Sequence, residues 1–131
     1  MEADVVFVTY TRSRVEDKQR FYEYLLDSLE RSLSRIRATQ RVSVKVFGAK
    51  ELHEDGTPHY HVLIQFSQTV LWTKARDRLA VWIMEDGRPV VDTHSIYIKK
   101  KKAEESREKF VWAVQTYVGK HGDVFGEKVM R

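Results

Sequence analysis

Two neighbouring runs of period-two alternation constrain this chain more than any other feature. From Arg41 to Glu51, Val42, Val44 and Val46 alternate with Arg41, Ser43 and Lys45. From His59 to Phe66 one set is His59, His61, Leu63 and Gln65, and the other is Tyr60, Val62, Ile64 and Phe66. Successive side chains of a strand point to opposite faces, so each run reads as a β-strand with two distinct sides. Glu54-Asp55-Gly56-Thr57-Pro58 between them is turn chemistry, which makes the pair a β-hairpin.

The remaining elements follow the same logic. Asp4 to Thr11, with Val5, Val6, Phe7 and Val8 in succession, reads as a strand buried on both faces. Ser13-Arg14-Val15-Glu16 has the capping-box pattern and opens a helix to about Arg37, whose stripe is Tyr22, Leu25, Leu26, Leu29, Leu33 and Ile36. Thr73 to Met84 reads as a second helix, Asp86-Gly87-Arg88-Pro89 as a turn and Val90 to Ile98 as a fourth strand. Glu104 to Gly119 reads as a third helix with Phe110, Ala113, Val114 and Tyr117 at helical spacing, and Gly122 is a plausible terminator. The order βαββαβα gives an α+β fold, a mainly antiparallel central sheet with flanking helices, in one domain over residues 1–131.

Composition narrows the function classes. A hydrophobic fraction of 42% and a charged fraction of 32% fit a soluble globular chain, and no apolar run approaches the ~20 residues of a membrane span. No membrane partner is expected, and the acidic start Met1-Glu2-Ala3-Asp4 lacks a signal-peptide pattern. Absence of cysteine excludes disulfides and thiolate zinc sites. A net charge of +4 permits a polyanionic partner without requiring one.

Within the hairpin, His59 and His61 share a face, and the seven-residue connection sets Glu51 opposite His59. Two imidazoles and a carboxylate leave coordination positions open, and mixed N/O ligation suits Mn²⁺, Mg²⁺ or Zn²⁺ acting as a Lewis acid on a phosphoryl oxygen. The alternative is a solvated polar face. His53, Glu54 and Asp55 belong to the loop tip. Tyr117 and Lys120, three residues apart, put a phenol and an ammonium on one helical side. A free tyrosine has pKa ~10, and a nearby metal or ammonium favours its phenolate. The structural alternative makes Tyr117 a boundary residue and Lys120 a helix-end cation. Asp123 reaches the metal or its waters, or closes the turn. Lys99, Lys100, Lys101 and Lys102 offer phosphates a positive edge, guard that edge against strand pairing, or act as a nuclear-import signal. Tyr10, Trp72, Trp82, Tyr97 and Trp112 are aromatics able to stack on bases, with core packing expected for Trp82 and Trp112.

These motifs in this order resemble the Rep-type HUH endonucleases, initiators of rolling-circle replication in circular single-stranded DNA viruses and related plasmids. Phe7-Val8-Thr9-Tyr10 is similar to the family's first motif, which helps bind the origin strand. Glu51 through Gln65 is similar to the second, and closest to geminivirus-like members. Tyr117-Val118-Gly119-Lys120-His121-Gly122-Asp123 is similar to the third, with its single catalytic tyrosine. The resemblance implies attack by Tyr117 on a phosphodiester of an origin stem-loop, a 5′-phosphotyrosine and a free 3′ hydroxyl. It implies Mg²⁺ or Mn²⁺ held by Glu51, His59 and His61, support from Lys120 and Asp123, and DNA contacts from Phe7, Thr9, Tyr10 and the lysine run. It further implies residence in a host nucleus for a viral chain, otherwise the cytoplasm. Self-association would run through a helicase region missing here, and no G-x-x-x-x-G-K-[ST] loop is present to suggest ATPase activity. Two other function classes fit parts of the pattern. A noncatalytic single-strand-binding module on an RRM-like sheet explains aromatics and charge but not the ligand trio. A metal-dependent phosphohydrolase using water dispenses with Tyr117.

Overall fold

The structure, a computed structural model, describes residues 1–35, 41–120 and 123–127. Five strands form one antiparallel sheet. In chain order they are β1 (Glu2–Tyr10), β2 (Val44–Leu52), β3 (Pro58–Leu71), β6 (Ile96–Lys100) and β7 (Val124–Gly126). Their order across the sheet is β6-β1-β3-β2-β7. A separate two-stranded sheet pairs β4 (Trp82–Glu85) with β5 (Arg88–Val91). The helices are α1 (Lys18–Leu33), α2 (Ala75–Leu79) and α3 (Arg107–Gly119). This is the expected α+β architecture. No helix among the described residues is long and apolar enough to cross a membrane.

The sheet is covered on both faces, and side-chain parity decides which residue serves which layer. Val6, Val8 and Tyr10 of β1 join Val46 of β2 and Tyr60, Val62, Ile64 and Phe66 of β3 in the core beneath α1. That helix contributes Phe21, Leu25, Leu29 and Leu33. The Phe21 ring lies on the Tyr60 ring at 3.7 Å and 7°. Such aromatic pairs contribute roughly 0.5–1.5 kcal/mol beyond the area they bury. On the other face Val5, Phe47, Ala49 and Leu63 meet Phe110, Val111, Val114 and Val118 of α3. Arg107 fixes the start of α3 to the sheet, pairing with Asp4 at 3.1 Å and donating to Gln65 Oε1 at 3.3 Å.

Gly48 answers a packing requirement. A Cβ there would lie 2.6 Å from Phe125 Cζ and 2.8 Å from the His61 carbonyl oxygen. Its absence lets the Phe125 ring settle against β2 and reach the Phe21 and Tyr60 rings.

Several expected boundaries differ from those observed. The capping box at Ser13 does not form. Asp92 is buried and needs donors, and it takes the Ser13 hydroxyl at 2.5 Å and the Arg14 amide at 2.8 Å. Helix α1 therefore starts later, capped by Asp17 accepting from the Gln19 amide at 2.9 Å. Ile36 and Arg37, expected at its end, lie outside the described residues, as does Gly122. The expected helix over residues 73–84 is only α2, because Trp82 to Glu85 extends into β4. The two-residue Asp86-Gly87 loop has φ of 52° and 75°, the positive pair of a type I′ turn that drives a hairpin. The expected strand over residues 90–98 is divided between β5 and β6, which belong to different sheets. Strand β7 has no counterpart among the expected elements. Three residues at long range from their partner leave no periodicity to read.

Candidate metal centre and nucleophile

The hairpin register places Glu51 directly opposite His59. Residues 59 and 61 of β3 share the face covered by α3. Parity on β2 puts Glu51 on that face as well, with Phe47 and Ala49. The reactive atoms converge. His61 Nε2 lies 2.9 Å from Glu51 Oε2, His59 Nε2 lies 3.4 Å from the same oxygen, and the two Nε2 atoms are 2.9 Å apart. All three residues are only partly exposed or buried, and their ligand atoms lie within 4.8 Å of one another. Two nitrogens and a carboxylate oxygen at these separations can surround one divalent ion, with the sheet's open side left for water and substrate oxygen. The donor set therefore fits the divalent metal expected from the sequence.

Neighbouring side chains hold the imidazoles from behind. Thr9, directly across the ladder from His61, brings Oγ1 to 3.2 Å from His61 Nδ1. The Phe7 ring stacks beside His61 at 5.8 Å and 24°. His53 Nε2 lies 3.1 Å from His59 Nδ1. His53 is therefore more than a loop-tip residue. It stands two positions after Glu51, one past the end of β2, and that shared parity is the sequence signal for its place on the cluster's side. Asp55 does stay at the tip. The Thr57 hydroxyl, and then the Arg12 guanidinium 2.8 Å away, hold its carboxyl well below the usual carboxylate range.

Tyr117 comes to the same place from α3. Its ring meets His61 edge-on at 5.8 Å and Phe7 at 6.1 Å, and the residue is 46% exposed. Val118 faces the core, so Tyr117 falls on the rim between helix and sheet. Lys120 follows at the helix end, exposed, with its backbone N–H donating to the Tyr117 and Val118 carbonyls. Ala113, expected in the buried stripe, is exposed, and Val111 and Gln115 take the buried positions.

Other expected site residues divide by parity. Tyr10 is fully buried on the α1 face, where its hydroxyl donates to the Leu79 carbonyl at 2.7 Å. Burial pushes its phenol far above the ordinary tyrosine value. It is a core residue and presents no ring to DNA. Trp72 is likewise buried, whereas Trp82 and Trp112, expected in the core, are exposed. Tyr97 pairs with Thr9 and Lys99 with Phe7, so both share the cluster's face. Lys100 pairs with Val6 and points the other way. Lys101 and Lys102 lie beyond the strand. Asp123 is outside the ligand cluster. Its carboxylate pairs with Lys18 at 2.5 Å and its carbonyl accepts from the Lys50 amide, so it closes the turn into β7.

The cluster lies on an open sheet face. Two grooves, of about 490 and 740 Å³, lie elsewhere, along α1 and the β4–β5 hairpin, and neither includes a ligand residue. An open face beside exposed Tyr97 and Lys99 accommodates an extended polymer better than an enclosed small molecule.

No curated protein is significantly similar to the chain. The family model described as a replication-associated protein of the ORF2 type matches residues 5–121, which takes in the first strand, the ligand hairpin and the tyrosine helix. With that span and the His-His-Glu cluster in place, the chain belongs to this replication-associated protein family of Rep-type HUH endonucleases.

Proposed function

We propose that this chain nicks and rejoins single-stranded DNA at a rolling-circle replication origin, with Tyr117 as the nucleophile. Family membership implies single-stranded DNA binding; the origin stem-loop as target is the finer part of this reading. The observation that carries it is the position of the Tyr117 ring, 5.8 Å from the ring of His61, a member of the ligand cluster. A phenol next to a phosphate-polarising site is arranged for covalent catalysis, whereas a pure binding module has no use for that convergence.

In the cleavage step the Tyr117 hydroxyl oxygen attacks phosphorus and gives up its proton to solvent. The bond from phosphorus to the 3′ oxygen breaks, the electron pair leaves with that oxygen, and protonation yields a free 3′ hydroxyl. The 5′ phosphate stays on Tyr117 as a diester. Attack by an incoming 3′ hydroxyl reverses these events and rejoins the ends. A bound Mg²⁺ or Mn²⁺, held by Glu51, His59 and His61, supplies Lewis-acid polarisation of the phosphoryl oxygen. Lys120, one turn from Tyr117, adds positive charge that favours the phenolate and the crowded phosphate. Phe7, Thr9, Tyr97 and Lys99 line the face along which the strand runs, and Lys100, Lys101 and Lys102 extend the positive edge. The same run serves as a nuclear-import signal in a viral setting. Residues 1–131 act as one catalytic domain, and self-association would rest with a helicase region outside this chain.

The test is a covalent-adduct gel. The protein is incubated with a randomised single-stranded DNA pool and Mn²⁺, then denatured. A slower band carrying DNA is expected, dependent on Mn²⁺ and absent in Tyr117→Phe, which still binds DNA. Cleavage retained by Tyr117→Phe overturns the phosphotyrosine mechanism and favours a water-using hydrolase.

A further inference from the structure

Both cluster imidazoles are gripped at the nitrogen that does not face Glu51. Nε2 of His59 and Nε2 of His61 point at each other and at the carboxylate. Nδ1 of His61 meets Thr9 Oγ1 at 3.2 Å, and Nδ1 of His59 meets His53 Nε2 at 3.1 Å. An imidazole that ligates through Nε2 carries its proton on Nδ1 and donates it outward. A hydroxyl oxygen and an unprotonated ring nitrogen are both acceptors for such a proton.

The two acceptors are themselves held. Thr9 is fixed by ladder pairing on both sides, to His61 in β3 and to Tyr97 in β6. The His53 backbone closes a tight turn. Its amide donates to the Thr57 carbonyl at 2.9 Å, and its own carbonyl accepts from the Gly56 amide at 2.9 Å. Gly56 has φ of +85°, a left-handed conformation that glycine adopts without strain. The His53 ring meets that of His59 edge-on at 4.5 Å and 87°, which aims nitrogen at nitrogen and does not stack the faces.

We propose that Thr9 and His53 are positioning residues that set the Nδ1–H tautomer and ring orientation of His61 and His59, presenting both Nε2 atoms to a divalent cation. This rests on the metal reading of the cluster but not on the nucleophile or the DNA. It gives Thr9, a residue of the first motif, a task at the ligand rather than at the strand. It also removes His53 from the role of loop filler. Partners of metal-bound histidines typically influence affinity by about 10–100-fold.

The experiment pairs Mn²⁺ calorimetry with long-range ¹H–¹⁵N correlation spectra of the histidine rings in metal-free protein, under conditions where the imidazoles are neutral. Wild type is expected to show His59 and His61 as Nδ1–H tautomers. Thr9→Val should return His61 alone to an Nε2–H-rich mixture, and His53→Phe should do so for His59 alone. Each should weaken Mn²⁺ binding about 10–100-fold. Thr9→Ser and His53→Gln each keep an acceptor oxygen and should restore both readouts. Unchanged tautomers in Thr9→Val and His53→Phe overturn the proposal, as does equal loss of affinity in the conservative and apolar variants, which would indicate packing alone. The ring spectra need no metal, so wild-type protein that failed to bind Mn²⁺ would refute the metal reading separately. Failure of Tyr117→Phe to abolish DNA cleavage would leave this result untouched.

Discussion

Tyr10→Phe separates a core role from a DNA-contact role at one atom. The hydroxyl of Tyr10 is fully buried and donates to the Leu79 carbonyl at 2.7 Å. Removing it deletes a neutral hydrogen bond worth about 0.5–1.5 kcal/mol net and leaves a buried carbonyl short of a partner, which costs about 1–3 kcal/mol. The two figures overlap in what they count, and the ring remains to fill its space, so a loss of about 1–2 kcal/mol is expected. For a domain of this size, each kcal/mol corresponds to roughly 3–5 °C, giving a Tm lower by roughly 3–10 °C. Urea melts should show a lower midpoint at unchanged slope, because the surface exposed on unfolding is the same. Fluorescence anisotropy with single-stranded DNA should show wild-type affinity below the melting range. An unchanged Tm with weakened DNA binding would refute the assignment and put the Tyr10 hydroxyl on the strand.

Three other outcomes are expected. Gly48→Ala places a methyl 2.8 Å from the His61 backbone oxygen and 2.6 Å from Phe125 Cζ. The ring can move but the strand backbone cannot move freely, so a loss of about 1–3 kcal/mol should appear in denaturant melts. The Asp55 carboxyl, held low by Thr57 and then Arg12, should remain ionised through the ordinary aspartate titration range in ¹³C spectra. Because its folded value is depressed, its stabilisation of the loop is present above the unfolded aspartate pKa and is lost as pH falls through the lower folded value; Thr57→Val and Arg12→Ala should each raise the midpoint. Chelation with EDTA should abolish cleavage while leaving residual DNA binding measurable by anisotropy, and Mn²⁺ should restore turnover.

The ligand hairpin is legible in the sequence because its register is local. Alternation fixes the faces, and a seven-residue connection sets Glu51 against His59 as observed. The region after β3 misleads because Leu79, Ile83 and Met84 satisfy helical spacing while Trp82 to Glu85 also satisfies a strand. Asp86-Gly87 decides between them, as a two-residue loop with positive φ at both positions. Tyr10, expected on the DNA side, shares parity with Val6 and Val8, which face α1. Ser13 shows the limit of local reading. Its capping pattern is sound, but Asp92 is 79 residues away in sequence and takes the hydroxyl. The convergence of Tyr117 on His61 depends on how α3 docks, through Phe110, Val111, Val114 and Val118 and the Arg107 anchor, and no spacing within the helix encodes that docking.

The two borders of the sheet carry a consequence for assembly. On one border β6 ends in Lys99 and Lys100, whose side chains project to opposite faces, so a strand approaching in plane meets ammonium groups above and below. On the other, β7 is three residues long and stops at Gly126, where φ is +84° and an added Cβ would collide with the Val46 carbonyl oxygen. Neither border offers a long flat row of unpaired amides for another chain to extend. Higher-order complexes of this protein must therefore form through helices, loops or a shared nucleic acid, and the isolated chain should resist fibrillar stacking even at the concentrations that spectroscopy requires.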